Sequence, residues 1–355
     1  MTRRQAERAA WIAGGASLVG TAAGSVFVPA AFPYAWLAAL TTWLGWPLGC
    51  MGLLLIHALT GGQWGRAIRP QLIAGAITLL LLPPALIPLM FVLPAIYPWL
   101  RPDVAAHLDN GFYLNLPFFV VRIICYLIVW FGLGSLIIRA FRHECSDAML
   151  ARIAPAGLIL LALTITFAAI DATMSLDPHF ASSAYGLIAL AEMALFALSV
   201  SVFAAVAAQP VDATTLREFG QLLLALLILW AYLDFMQVLI VWESDLPNEA
   251  PWYIIRATGG WGFVAALIAG GHFFLPFFVL LSPSVQRSRA GIICVTALLI
   301  VSAVVHGWWL VIPASGQRFG SIDLLAMLGV AGSAAALALR APLLPGFAEA
   351  MRPHV

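Results

Sequence analysis

Apolar runs of roughly 20 residues or more recur ten times along this chain. They lie at about 9 to 30, 34 to 59, 70 to 97, 112 to 140, 153 to 174, 180 to 208, 216 to 242, 257 to 281, 290 to 312 and 320 to 341. Each is long enough to cross a hydrocarbon core of about 30 Å as an α-helix. The third run contains Pro83, Pro84, Pro88 and Pro94. Proline removes a helical donor and crowds the preceding turn, so this span is expected to be kinked or broken, with neighbouring helices or water satisfying the freed carbonyls. No connecting loop is long enough for a soluble domain. The chain therefore reads as an all-α integral membrane protein, residues 1–355 forming a single polytopic membrane domain of about ten transmembrane helices. The opening stretch MTRRQAERAAW runs into the first apolar segment without a clear cleavage site and is expected to be a retained helix.

Composition agrees: hydrophobic residues make up 63% of the chain and charged residues 9%, against about a quarter charged in soluble domains. The formal charge of +1 says nothing about nucleic acid, and no basic run suggests it, so no nucleic-acid partner is expected. With the N-terminus inside, one side of the membrane carries Arg3, Arg4, Arg8, Arg66, Arg69, Arg139, Arg142, Arg152, Arg217, Arg287, Arg289, Arg340 and Arg352, and the other only Arg101, Arg256 and Arg318. Thirteen against three is a positive-inside bias that puts both termini in the cytoplasm. The outer loops carry acids instead: Asp103, Asp109, Asp177, Glu243, Asp245 and Glu249. Cys50, Cys125, Cys145 and Cys294 fall singly, without CxxC or CxxCH spacing, so covalent haem, iron-sulfur and structural zinc sites have no support; small apolar core residues are the simpler reading. No metal site is expected.

Charges inside apolar runs are the candidate chemistry, since hydrocarbon offers them no water. Arg122, Glu192 and Asp234 each fall roughly 12 to 18 Å below the outer surface when their runs are treated as helices. They could therefore meet in one layer. Two acids and one arginine leave one carboxylate unpaired, which suits a proton relay; a fixed ion pair that holds helices together is the competing reading. Asp171 lies near the outer end of the fifth span, followed by Asp177 and His179. A carboxylate there could take a proton from a quinol head group or pass it outward, whereas Asp177 reads as a turn or capping residue before Pro178. His272 falls in the inner half of the eighth span and His306 in the outer third of the ninth, with His57 near the inner end of the second. Those depths do not match as paired haem ligands should. His272 is instead a candidate for an inner proton path, or a histidine bonded to a neighbouring helix. Trp99, Trp242, Trp252, Tyr253, Trp261, Trp308 and Trp309 cluster at predicted membrane edges, most of them as interfacial anchors. Gly259-Gly260 and Gly270-Gly271 would let helices approach closely.

The strings LIVWESDLPNEAPWYIIRATGGWG and HFFLPFFVLLS resemble the signature region of the NrfD-like, polysulfide-reductase-type membrane subunits of alternative complex III, in particular the second such quinol:cytochrome c oxidoreductase subunit. HALTGGQWGRAIRPQL at 57 to 72, LNLPFFVVRIICYLIVW at 114 to 130 and ITFAAIDATMSLDPHFASSAYG at 165 to 186 extend the resemblance, in order, over about 34 to 312. It implies ten helices built around two four-helix bundles plus flanking helices, in a bacterial inner (plasma) membrane. It further implies a quinol:acceptor oxidoreductase in which this chain holds no cofactor. Quinol is then a possible substrate, and haem c and iron-sulfur clusters sit on periplasmic partner subunits beside a homologous NrfD-like subunit and possibly a cytochrome oxidase. The candidate relay residues carried over are Arg122, Asp171, Glu192, Asp234 and His272, with Asp171 and His179 on the quinol side. An apolar residue is more usual where Asp234 stands. A structural anchor for periplasmic electron-transfer proteins, or a secondary transporter, are the alternative readings.

Overall fold

The computed structural model describes residues 2–108, 110–141, 146–244 and 246–341. Asp109, Arg142, Cys145, Asp245 and Arg352, named above, lie outside the described residues. The first two spans are α1 (Arg3–Phe27) and α2 (Phe32–Thr60). The third is broken, as its prolines require. Helix α3 (Gln63–Ile77) gives way to a 3-10 turn (Thr78–Leu81), and α4 (Leu82–Ile96) restarts with Pro83 in its first turn, where the missing N–H costs nothing. A one-turn α5 (Pro102–Ala105) precedes α6 (Leu116–Phe141), and α7 (Ser146–Ala172), α8 (Tyr185–Ala208) and α9 (Ala213–Glu243) follow.

The eighth span is composite and is preceded by a short α10 (Ala250–Ala257), set off from α11 (Trp261–Ile268) by Gly259 and Gly260, at φ 60° and 94°, a left-handed corner that favours glycine. After α11 comes a π-helical turn (Ala269–Phe274) and then α12 (Leu275–Leu280). A one-turn α13 (Pro283–Gln286), α14 (Arg289–Val311) and α15 (Ser321–Arg340) complete the chain. Ten of these segments are long and apolar enough to cross a membrane, so the protein is an all-α, multi-pass membrane protein.

Helices α2, α3–α4, α6 and α7 pack as one four-helix bundle, and α8, α9, α11–α12 and α14 as a second. The bundles meet where α2 lies against α8 and α14, while α1 pairs with α15 on the flank of α2. Hydrophobic burial cannot drive apolar helices together in lipid, so close backbone approach does. A Cβ added at Gly49 would collide with the Met193 carbonyl on α8, and one at Gly307 with the Thr42 hydroxyl on α2. The glycine pairs singled out in the sequence do something else: nothing lies within 4 Å of a Cβ built at Gly259, Gly260, Gly270 or Gly271. They serve backbone geometry rather than contact.

The aromatic belt also needs correction. Trp242 is exposed, as an anchor should be, but Trp99 and Trp252 are fully buried. Cys125 and Cys294 face outward; of the described cysteines only Cys50 is a core residue. His57 is a packing histidine, its Nε2 3.0 Å from the Gly62 carbonyl oxygen and its ring edge-on to Trp64.

Candidate functional site

Arg122 does not meet Glu192 or Asp234. The run predicted from residue 112 begins as helix only at Leu116, after Asn115 accepts from the Phe118 N–H as an N-terminal cap. Arg122 is thus six residues into α6, about 9 Å deep. There it forms a two-pronged pair with Asp171, Nε to Oδ2 and Nη2 to Oδ1 both at 2.8 Å. The Tyr126 hydroxyl donates to the same Oδ2 at 2.7 Å, and the third guanidinium nitrogen donates to the Tyr113 carbonyl at 3.0 Å. The guanidinium carbon also lies 3.8 Å from the Tyr113 ring centre. Charge is matched and Asp171, 1% exposed, is closed by three donors, an arrangement that fixes both side chains.

His179 sits apart from both acid groups. Asp177 accepts its backbone N–H at 3.0 Å, a side-chain turn as the sequence indicated, and the His179 side chain is exposed.

The second cluster lies within the second bundle. Glu192 on α8 faces His272 from the π turn, Oε2 to Nε2 at 3.4 Å, and His306 on α14, Oε1 to Nδ1 at 3.7 Å. Trp230 on α9 packs edge-on against both imidazoles, ring centres 4.4 and 5.5 Å away, and the two histidine rings are 6.3 Å apart. The depth mismatch expected between His272 and His306 is therefore absent. The eighth span starts at Trp261 rather than at residue 257, which brings His272 outward, and a 3-10 turn (Ile312–Ser315) extends the ninth span beyond His306.

Proton positions follow from the bonding pattern. The Ser302 hydroxyl donates to the Leu298 carbonyl at 2.8 Å, so it accepts from His272 Nδ1, 2.7 Å away. That leaves His272 Nε2 facing a carboxylate oxygen, and neither atom has an aligned hydrogen bond. A further proton is needed to join these two acceptors, on the carboxyl or on the imidazole. Glu192 and His272 thus face each other at 3.4 Å without a formed hydrogen bond.

Asp234 stands beside this cluster with His306, Glu192 and His272 as its titratable neighbours. It has no hydrogen-bond or ion-pair partner among the described residues. Its side chain lies in the wall shared by two cavities, together with Tyr253, His306 and Trp309. The first, about 120 Å³, runs between the bundles and includes Thr41, Thr42, Tyr185, Glu192 and Gln237. The second, about 600 Å³, lies between α9, α10, α11 and α14 and is mostly apolar, with Tyr232, Asp234, Tyr253, Arg256 and His306 as its polar members. Tyr232 and Phe235, each 60% exposed, and Phe274, 52% exposed, also line it. These residues lie at membrane depth on the outer faces of α9 and the π turn, so this cavity opens sideways toward lipid.

Two further polar side chains line these cavities, Gln237 the first and Arg256 the second. Gln237 accepts from Ser182 at 2.5 Å and donates to the Tyr253 hydroxyl at 2.7 Å, leaving the phenol hydrogen for another acceptor. Arg256, counted on the arginine-poor side in the sequence, is fully buried. Its guanidinium stacks 3.3 Å over Trp252 and donates to the carbonyls of Trp252 and Leu310 at 2.6 to 3.2 Å, closing the C-terminal end of α14. Burial pulls it down to about 10, so it is charged at neutral pH. Its place in the α10 string APWYIIRA, three residues after Tyr253, was the available signal, because Trp252 and Arg256 share one helical face.

Neither models of known protein families nor curated proteins match this chain.

Proposed function

We propose that this chain is an NrfD-like membrane subunit of a quinol-oxidising respiratory complex of the alternative complex III type. In this reading the lipid-facing cavity receives the quinol head group, and Asp234 with the Glu192, His272 and His306 cluster takes its protons. Oxidation of a quinol releases two electrons and two protons; the electrons pass to haem c and iron-sulfur centres on partner subunits at the arginine-poor, periplasmic face. The ordered motifs from about 34 to 312 and the two-bundle architecture support the family assignment.

The observation that carries the reading is Asp234, a carboxylate without a partner among the described residues, in a cavity open to lipid. A volume of about 600 Å³ suits a ring with a chain, since small-molecule sites typically span roughly 300 to 1,000 Å³. A mostly apolar wall with a few polar groups at one end matches a molecule with a polar ring edge and an apolar body. Asp171 is withdrawn from proton transfer and, with Arg122, serves as scaffold; His179 lines neither cavity.

The test is Asp234→Asn in the assembled complex. Quinol-driven acceptor reduction is expected to fall by about 10² or more, the usual contribution of a positioned proton acceptor, with subunit composition unchanged. Parental turnover in the assembled variant would overturn the role of Asp234. Purification of the chain alone, without haem-c or iron-sulfur proteins, would overturn the subunit reading and favour a transporter.

A further inference from the structure

Among the described residues, the spans depart from α geometry toward wider spacing in one place, the six-residue turn Ala269–Phe274, and three residues favour that departure. Pro276 has no N–H, and its ring crowds the carbonyl four residues earlier, which belongs to His272; an α-type bond there is impossible. Gly270 and Gly271 are the poorest α formers after proline, so they weaken the competing α form. Close packing does not account for them, because the space in front of both is open.

His272 lies in the middle of this turn, 1% exposed. Three neighbouring helices contact it: Ser302 of α14 at 2.7 Å, Glu192 of α8 at 3.4 Å and the Trp230 ring of α9 at 4.4 Å between centres. Closing a π turn to α spacing shifts the following register by one residue, a rotation of about 100°. The imidazole cannot then meet all three.

We infer that Gly270, Gly271 and Pro276 are positioning residues that hold the π turn, and that the contact between His272 and Glu192 exists only in this π form of the eighth span. The inference concerns the coupling of two protein groups and holds whatever the lipid-facing cavity binds. The titratable groups facing Glu192 are His272 from the π turn, His306 from α14 and Asp234 from α9.

The experiment is an infrared pH titration of the carboxyl stretch of Glu192 in the purified full-length protein, the band being assigned by its disappearance in Glu192→Gln. In the triple variant Gly270→Ala, Gly271→Ala, Pro276→Ala the midpoint is expected to leave the parental value by about one pH unit or more, the effect of losing a close charged neighbour. It should coincide with that of His272→Gln. Gly132→Ala, in α6 where nothing lies within 4 Å, is the control and should superpose on the parent. A triple variant that titrates like the parent overturns the inference. Where the triple variant does not accumulate, Gly271→Ala alone decides: a midpoint displaced toward that of His272→Gln supports the inference, and superposition on the parent overturns it. Failure of the parent to oxidise quinol would count against the proposed function and leave this titration unaffected.

Discussion

The Arg122–Asp171 group and the Glu192–His272–His306–Asp234 group are both sets of charged side chains inside the membrane, on neighbouring bundles and toward the same face. They differ in closure. In the first, every prong of the guanidinium on Asp171 is at 2.8 Å, Tyr126 completes the carboxylate, and formal charge cancels. In the second, the closest contacts are 3.4 and 3.7 Å, two atoms lack an aligned partner, and Asp234 borders two cavities. Charge inside a membrane therefore does not by itself mark chemistry. A closed pair fixes packing, whereas an open cluster beside a cavity can change its protonation.

The sharpest way to break this contrast is Arg122→Met. It leaves a buried carboxylate without its cation, and stability in detergent should fall by about 3 to 5 kcal/mol. The double variant Arg122→Met, Asp171→Leu should recover most of that loss, and strictly additive losses would show that the pair is not a unit. Tyr126→Phe removes one donor to a charged acceptor and is expected to cost about 1.5 to 3 kcal/mol by the same unfolding measurement. In the open cluster, Glu192→Gln should change stability by less than about 1 kcal/mol, since no well-formed hydrogen bond is lost. A loss as large as that of Arg122→Met would erase the distinction.

The smallest effect lies outside both groups. Asp212 caps α9, accepting from the N–H groups of Thr215 and Thr214 and from the Thr215 hydroxyl. The Thr215 N–H leads the bonds that hold its carboxyl below the usual range. A depressed folded-state value means that this stabilisation is present above the unfolded value, about 3.9, and is lost as pH falls through the folded one. Asp212→Asn keeps the cap and should flatten that acid-side slope slightly in thermal melts.

The ten spans were legible because crossing a lipid core needs length and apolarity, and both are local properties. The break in the third span was legible for the same reason, since proline acts on its own turn. Errors of four residues were enough to mislead pairing. Starting the fourth span at residue 112 instead of Leu116 placed Arg122 too deep, although Asn115 followed by Pro117 marks a helix start. Starting the eighth span at residue 257 instead of Trp261 hid the proximity of His272 and His306. The burial of Arg256 went unread because it needs the four-residue spacing from Trp252 to be taken as one face of a helix, and the segment reads as a loop.

The sequence alone determined that this is a helical membrane protein, which residues carry charge within its spans, and where proline and glycine disturb the helices. Each follows from what a residue does to its own turn or to its own solvation. Only the tertiary structure decided that Arg122 belongs to Asp171, that Glu192 belongs to two histidines, and that Asp234 has no partner among the described residues beside a lipid-facing cavity. Those outcomes depend on helix rotation and on contacts between residues as far apart as Glu192 and His306. Uniformly apolar spans carry no polar face to record how they are turned, so rotation is fixed by packing against neighbours.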